Sequence, residues 1–138
     1  MSEPTLATPG ATVPLGNGSQ LTFRATAEQT EGTFALLEYV LAPGAGAGPH
    51  RHTREDESFL VLSGELTLQL DERQQVVAAG GFVRIPRGTR HAFANRGSVP
   101  LVALIVLTPA GLEQFFCDIT QPGADPGTIA ARYGLELG

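Results

Sequence analysis

Residues 44–64 read G-A-G-A-G-P-H-R-H-T-R-E-D-E-S-F-L-V-L-S-G, and residues 80–95 read G-G-F-V-R-I-P-R-G-T-R-H-A-F-A-N. These two stretches hold all 3 histidines of the chain: His50, His52 and His91. Both are strand-like runs punctuated by glycine and proline, the signature of short strands joined by tight turns. His50 and His52 are separated by one residue, so in a strand their rings share a face and can converge on one point. Pro49 stiffens the approach. Glu57 follows through the polar link T-R-E-D-E, whose bend can bring the carboxylate back to the same centre. His91 arrives from a separate hairpin, which only the fold can place. Alone, His-X-His is equally compatible with a solvated strand face. Three imidazoles and a carboxylate together suit one divalent Fe, Ni, Mn, Co, Cu or Zn ion, and match poorly the all-oxygen shell of calcium.

Outward from these stretches the chain continues as short strands. Residues 21–27, L-T-F-R-A-T-A, put Leu21 and Phe23 on one face. In Phe34 to Leu41, Ala35, Leu37, Tyr39 and Leu41 alternate with Phe34, Leu36, Glu38 and Val40. Further strands are expected at Ser58 to Leu62, Glu65 to Leu70, Gln74 to Ala78, Phe82 to Ile85, Arg90 to Ala94 and Leu101 to Leu107. Turn residues separate them, and the P-G-A-G-A-G-P segment before His50 reads as a loop. No βαβ rhythm is present, so the fold class is all-β, a sandwich or barrel. Helix is expected only late, at Pro109 to Cys117 and from Asp125-Pro126 through Arg132. The implied organisation is an extended N-terminal arm at 1–19, a β domain at 20–117, and a tail at 118–138 with a short helix.

Composition excludes several classes of function. The 138 residues carry a net charge of -5, with 9 arginines and no lysine. A Schiff-base mechanism is therefore excluded, and no basic tract suggests nucleic-acid binding. The single cysteine, Cys117, cannot form an internal disulfide and reads as a buried or half-buried thiol. The acidic, proline-broken N-terminus is no signal peptide, and the apolar run Leu101 to Leu107 is far short of the ~20 residues that span a membrane. A cytoplasmic protein is the expectation.

The full spacing resembles the cupin superfamily. Its first motif is met by Gly44, His50, His52, Glu57 and Gly64, and its second by Gly80, Pro86, Gly88, His91 and Asn95. The resemblance implies a jelly-roll β-barrel with short C-terminal helices, and one metal held by His50, His52, Glu57 and His91. Asn95 reads as a backbone-satisfying turn residue and not a ligand. The phrases D-E-S-F-L-V-L-S-G, I-P-R-G-T-R-H-A-F-A-N and L-T-P-A-G-L-E-Q-F-F are similar to quercetin dioxygenase-like cupins. That likeness implies a dioxygenase acting on an enolic, phenolic or diketone-like small molecule, with Glu57 as both ligand and catalytic base. The same ligands serve non-redox cyclases, isomerases and dehydratases, or binding without turnover. The pocket candidates are Phe59 and Phe93, which share faces with Glu57 and His91, together with Glu38, Tyr39 and Arg54. Of Glu38 and Tyr39, alternation lets only one face inward. Apolar outer strand faces and the family resemblance together imply a homodimer.

Overall fold

Alternation builds the centre of the molecule. Strands β3 (Ala35–Leu41) and β10 (Leu101–Thr108) bury every second side chain, so each turns one face to the core and the other outward. The computed structural model of the protein describes residues 3–8 and 10–138. Parts of the expected N-terminal arm, residues 1, 2 and 9, lie outside the described residues. The remaining strands are β1 (Thr12–Gly16), β2 (Ser19–Ala25), β4 (Gly46–His52), β5 (Asp56–Ser63), β6 (Glu65–Leu70), β7 (Arg73–Ala78), β8 (Phe82–Ile85), β9 (His91–Ala94) and β11 (Leu135–Leu137). Short helices α1 (Ala27–Thr30), α2 (Glu113–Asp118) and α3 (Pro126–Arg132) complete it.

The strands pair antiparallel as two sheets, one of 6 strands in the order β1-β2-β3-β10-β5-β8 and one of 5 in the order β11-β4-β9-β6-β7. The architecture is an all-β jelly roll with short helices. Its strands form two hydrogen-bonded sheets, as a jelly roll does. Between the sheets lies a core that includes Leu21, Leu37, Leu41, Phe59, Val61, Leu66, Leu68, Leu101 and Leu107, each buried almost completely. Each large apolar side chain there contributes about 2 kcal/mol relative to exposure.

Three local readings change. The segment read as the loop P-G-A-G-A-G-P enters strand β4 at Gly46, where β9 passes so close that a Cβ would strike Phe93 O. Glycine is needed there for the approach of two backbones, which reads as a loop in sequence alone. Helix α1, a single turn, carries no apolar periodicity and was not expected. The tail adds strand β11 to the sheet edge, with Leu135 opposite His52 and Leu137 opposite His50. Among the described residues no helix is long and apolar enough to cross a membrane.

Asn95 closes the turn after β9. It is 1% exposed, and its Nδ2 donates to Leu41 O at 2.9 Å and Val99 O at 2.8 Å. Its Oδ1 accepts from Gly97 N at 2.9 Å. Removing it strands three backbone groups in or near the core. Asn95→Ala is expected to lower stability by about 2–4 kcal/mol in urea denaturation, with zinc affinity of the folded protein little changed.

Candidate metal centre

The ligand residues occupy core-facing positions of both sheets. On β5 the buried row is Glu57, Phe59, Val61, so a carboxylate stands where alternation calls for an apolar side chain. His50 and His52 are the buried residues of β4, and His91 opens β9 directly opposite His50 in register. Three imidazoles of one sheet therefore meet one carboxylate of the other. All four residues are buried, and each offers one ligand atom within 4.8 Å of the others. The Nε2 atoms of His52 and His91 each lie 3.3 Å from Glu57 Oε1.

Each imidazole is held from behind by its other nitrogen. His50 Nδ1 donates to Gly48 O at 2.8 Å, and His91 Nδ1 donates to Thr89 O at 2.9 Å. His52 Nδ1 donates to Glu55 Oε2 at 3.1 Å. This pattern leaves all three Nε2 atoms for the centre, the arrangement that orients histidines toward a metal. His52 Nε2 has no hydrogen-bond partner although fully buried, because its approach to Glu57 lacks hydrogen-bond geometry. An orphaned buried nitrogen costs about 1–3 kcal/mol. A divalent cation would satisfy it together with the three other ligand atoms. The described residues thus contain a His/His/Glu/His cluster capable of coordinating a divalent metal ion.

The electrostatics agree with that donor set. Burial lowers the His50 pKa, so its ring is neutral at pH 7 and ready to ligate. Burial also pulls His52 down, but Glu55 and Glu57 outweigh it and carry its pKa up to about 9. Burial pushes Glu57 up, yet the close approach of His52, and of His91, which hydrogen-bonds it, overcomes this and holds the carboxyl at about 2.

Glu55 is the functional residue that the sequence reading missed. It is 3% exposed, three residues after His52 and immediately before β5. The signal was hidden because Glu55, Asp56 and Glu57 are consecutive acids, and only burial separates them. Asp56 turns outward and accepts from Arg84 at 3.0 Å and from Arg87 at its backbone N at 2.9 Å. The Arg87 backbone hydrogen bond, then the two guanidinium groups, hold the Asp56 carboxyl at about 2. The pair clamps the Pro86 to Gly88 turn, and Gly88, at φ +84°, donates its N–H to His52 O at 2.7 Å. His91 is thereby delivered to the centre, and Arg84 is a clamp residue.

A cavity of about 180 Å³ opens beside the cluster. It is lined by His50, His52 and Glu57 and walled by Tyr39, Ala47, Phe93, Ile105, Leu112, Phe115, Phe116, Leu135 and Leu137. Among the pocket candidates, Tyr39 and Phe93 reach this cavity, edge to face at 6.0 Å. Three do not. Phe59 is fully buried behind Phe93, with ring centroids 5.3 Å apart. Glu38 faces outward on β3 and pairs with Arg24 at 3.0 Å. Arg54 donates to Arg132 O at 2.8 Å and lies along the end of α3. Phe115, Phe116, Leu135 and Leu137 come from the last quarter of the chain, whose place over the cavity no local pattern announces.

A jelly roll with a buried three-histidine, one-glutamate cluster in its interior defines a metal-binding β-sandwich domain. The chain belongs to the cupin family, matching the cupin domain over residues 37–107. Its relatives include the tetracenomycin polyketide synthase protein TcmJ of Streptomyces glaucescens, 24% identical over 76% of this chain and 70% of that protein. Two other curated relatives are matched over only 30% and 14% of their length. The structure of KdgF from Halomonas sp. superimposes with a TM-score of 0.65 at 19% identity, over 75% of this chain and 92% of that one. A candidate sugar phosphate isomerase from Acidithiobacillus ferrooxidans gives a TM-score of 0.55 at 26% identity, over 64% and 59% of the two chains. None of these relatives is described as a quercetin dioxygenase.

Two outcomes follow from this geometry. Glu55→Ala frees the His52 ring, and is expected to weaken zinc binding about 10- to 100-fold in competition with a chromophoric chelator. Glu55→Gln, which keeps an acceptor, is expected to lose less; equal affinity for all three proteins would remove Glu55 from the site. The second concerns pH. In metal-free protein the raised His52 pKa stabilises the fold fully below 6.5, its unfolded value, and that contribution is lost as pH rises through about 9. His50, lowered in the fold, adds no slope above 6.5. Thermal melts of metal-free protein should therefore drop between pH 6.5 and 9, while zinc-loaded protein, with the Nε2 proton displaced, should not follow that decline.

Proposed function

We propose that the chain is a metal-dependent enzyme that moves protons on an enolisable small molecule without consuming oxygen, as an isomerase, cyclase or dehydratase does. The observation that carries this reading is the placement of Glu57. Its carboxylate belongs to the ligand cluster and also faces the apolar cavity. A group in that position can take a proton from a substrate carbon lying against the cluster. A divalent metal held by His50, His52, Glu57 and His91 would supply Lewis acidity toward the substrate oxygen, making the adjacent proton easier to remove.

The residues of the chain supply the rest. Phe93, Phe115 and Phe116 give the cavity apolar walls, and their low polarity strengthens the electrostatics beside them. Glu55, Gly48 and Thr89 hold the imidazoles so that none has to reorient during proton transfer. The name of the candidate sugar phosphate isomerase supports non-oxidative chemistry. The dioxygenase expectation drawn from sequence resemblance has no such support among the relatives described. Because the same ligands serve both chemistries, oxygen dependence separates them.

The test uses zinc- or nickel-loaded protein under argon in deuterated buffer with a panel of enolisable ketones. Deuterium should enter the carbon beside the carbonyl, read by proton NMR, and Glu57→Gln should slow it by about 100-fold or more. Substrate loss that requires oxygen, with no exchange under argon, would overturn this reading in favour of the dioxygenase.

A further inference from the structure

We propose that the Tyr39 hydroxyl is a substrate-binding group of this site, and that the site takes an uncharged, single-ring-sized carbonyl compound in preference to a phosphorylated one. This rests on the reading of the metal-side cavity as a substrate site.

Tyr39 is an inward residue of β3, 8% exposed, and its hydroxyl makes no hydrogen bond to any described residue. Its neighbours across the sheet are Leu21 and Ala103, which offer no side-chain acceptor. The hydroxyl is not among the fully buried unpaired atoms of the described residues, so it keeps solvent contact and is free to donate to a ligand. Here the ring is fixed edge-on to Phe93, and the hydroxyl borders the cavity. Apart from His50, His52 and Glu57, it is the only polar side chain among the described lining residues. A substrate oxygen is a partner that such a donor can take in place of water.

The charge distribution narrows the class further. No arginine lines the cavity, and the chain has no lysine. Arg24, Arg51, Arg84, Arg87 and Arg132 are paired with carboxylates elsewhere, and Arg54 with a backbone carbonyl. Recognition of phosphate or carboxylate normally draws on charge-assisted donors. An anionic group lodged among Phe115, Phe116 and Leu112, away from the metal ligands, would lose its hydration without a charged partner there. Size points the same way. A cavity of about 150 Å³ holds a benzene, so one of about 180 Å³ accepts one ring with a small substituent.

Acetophenone and ethylbenzene test the proposal, since they differ chiefly in the oxygen that Tyr39 would hold. Zinc-loaded wild type and Tyr39→Phe are titrated with each by ligand-observed NMR, after zinc affinity and melting temperature are shown to match. Acetophenone should bind wild type, and Tyr39→Phe should weaken it about tenfold, while ethylbenzene binds both proteins equally. Fructose 6-phosphate should fail to displace acetophenone. The proposal is overturned if acetophenone does not bind, if the substitution leaves its affinity unchanged, if ethylbenzene weakens in parallel, or if fructose 6-phosphate binds more tightly. Deuterium exchange at the acetophenone methyl group is read in the same samples. Tyr39-dependent binding without exchange would sink the proton-transfer reading and leave this one standing; exchange indifferent to Tyr39→Phe would do the reverse.

Discussion

Four ionisable side chains are buried at one point between two apolar sheets, and the arrangement is tolerable only because they compensate one another. A lone carboxylate at Glu57 would carry a desolvation cost of several kcal/mol. Two imidazole nitrogens 3.3 Å away offset it. The rings in turn are tethered by Gly48, Glu55 and Thr89, so the ligand atoms face inward before any ion arrives. Much of the surrounding structure serves this convergence. Gly46 lets β9 approach β4, Asp56 clamps the turn before His91, and β11 covers the edge of the ligand-bearing strand.

The second organising feature is the wall over the cluster. Helix α2 is short and could not hold its place by helix propensity alone. A buried carboxylate secures it: Glu113 accepts from Ala27 N and Gly111 N, each at 2.6 Å. Phe115 and Phe116 are thus held across the cavity from Tyr39 and Phe93. The result is a polar floor under apolar walls, with one hydroxyl among them. Such a surface favours ligands that present one oxygen toward the floor and carbon elsewhere.

Where local pattern coincided with physical cause, the sequence was legible. The period-two rows of β3 and β10, the turn glycines and the proline-started α3 all follow from rules that act within a few residues. The ligand cluster was legible for a related reason: His50 and His52 share a strand face by geometry, and motif spacing supplied Glu57 and His91. Glu38 and Arg54 were misjudged as cavity residues because alternation does not say which face is inside, and a bend does not say where a long side chain finds its partner. Glu38 found Arg24, and Arg54 found the end of α3.

By itself, then, the sequence determined the all-β class, the family resemblance, the four metal-ligand candidates and the absence of any lysine chemistry, since these depend on residue type and short spacing. The tertiary structure alone decided the strand order within the two sheets and that Glu55 stands behind His52. It also decided that residues from α2 and β11 wall the cavity and that Tyr39 lines it beside them. Those features arise from contacts between segments far apart in the chain, and no periodicity encodes which distant backbone will pass within hydrogen-bonding distance.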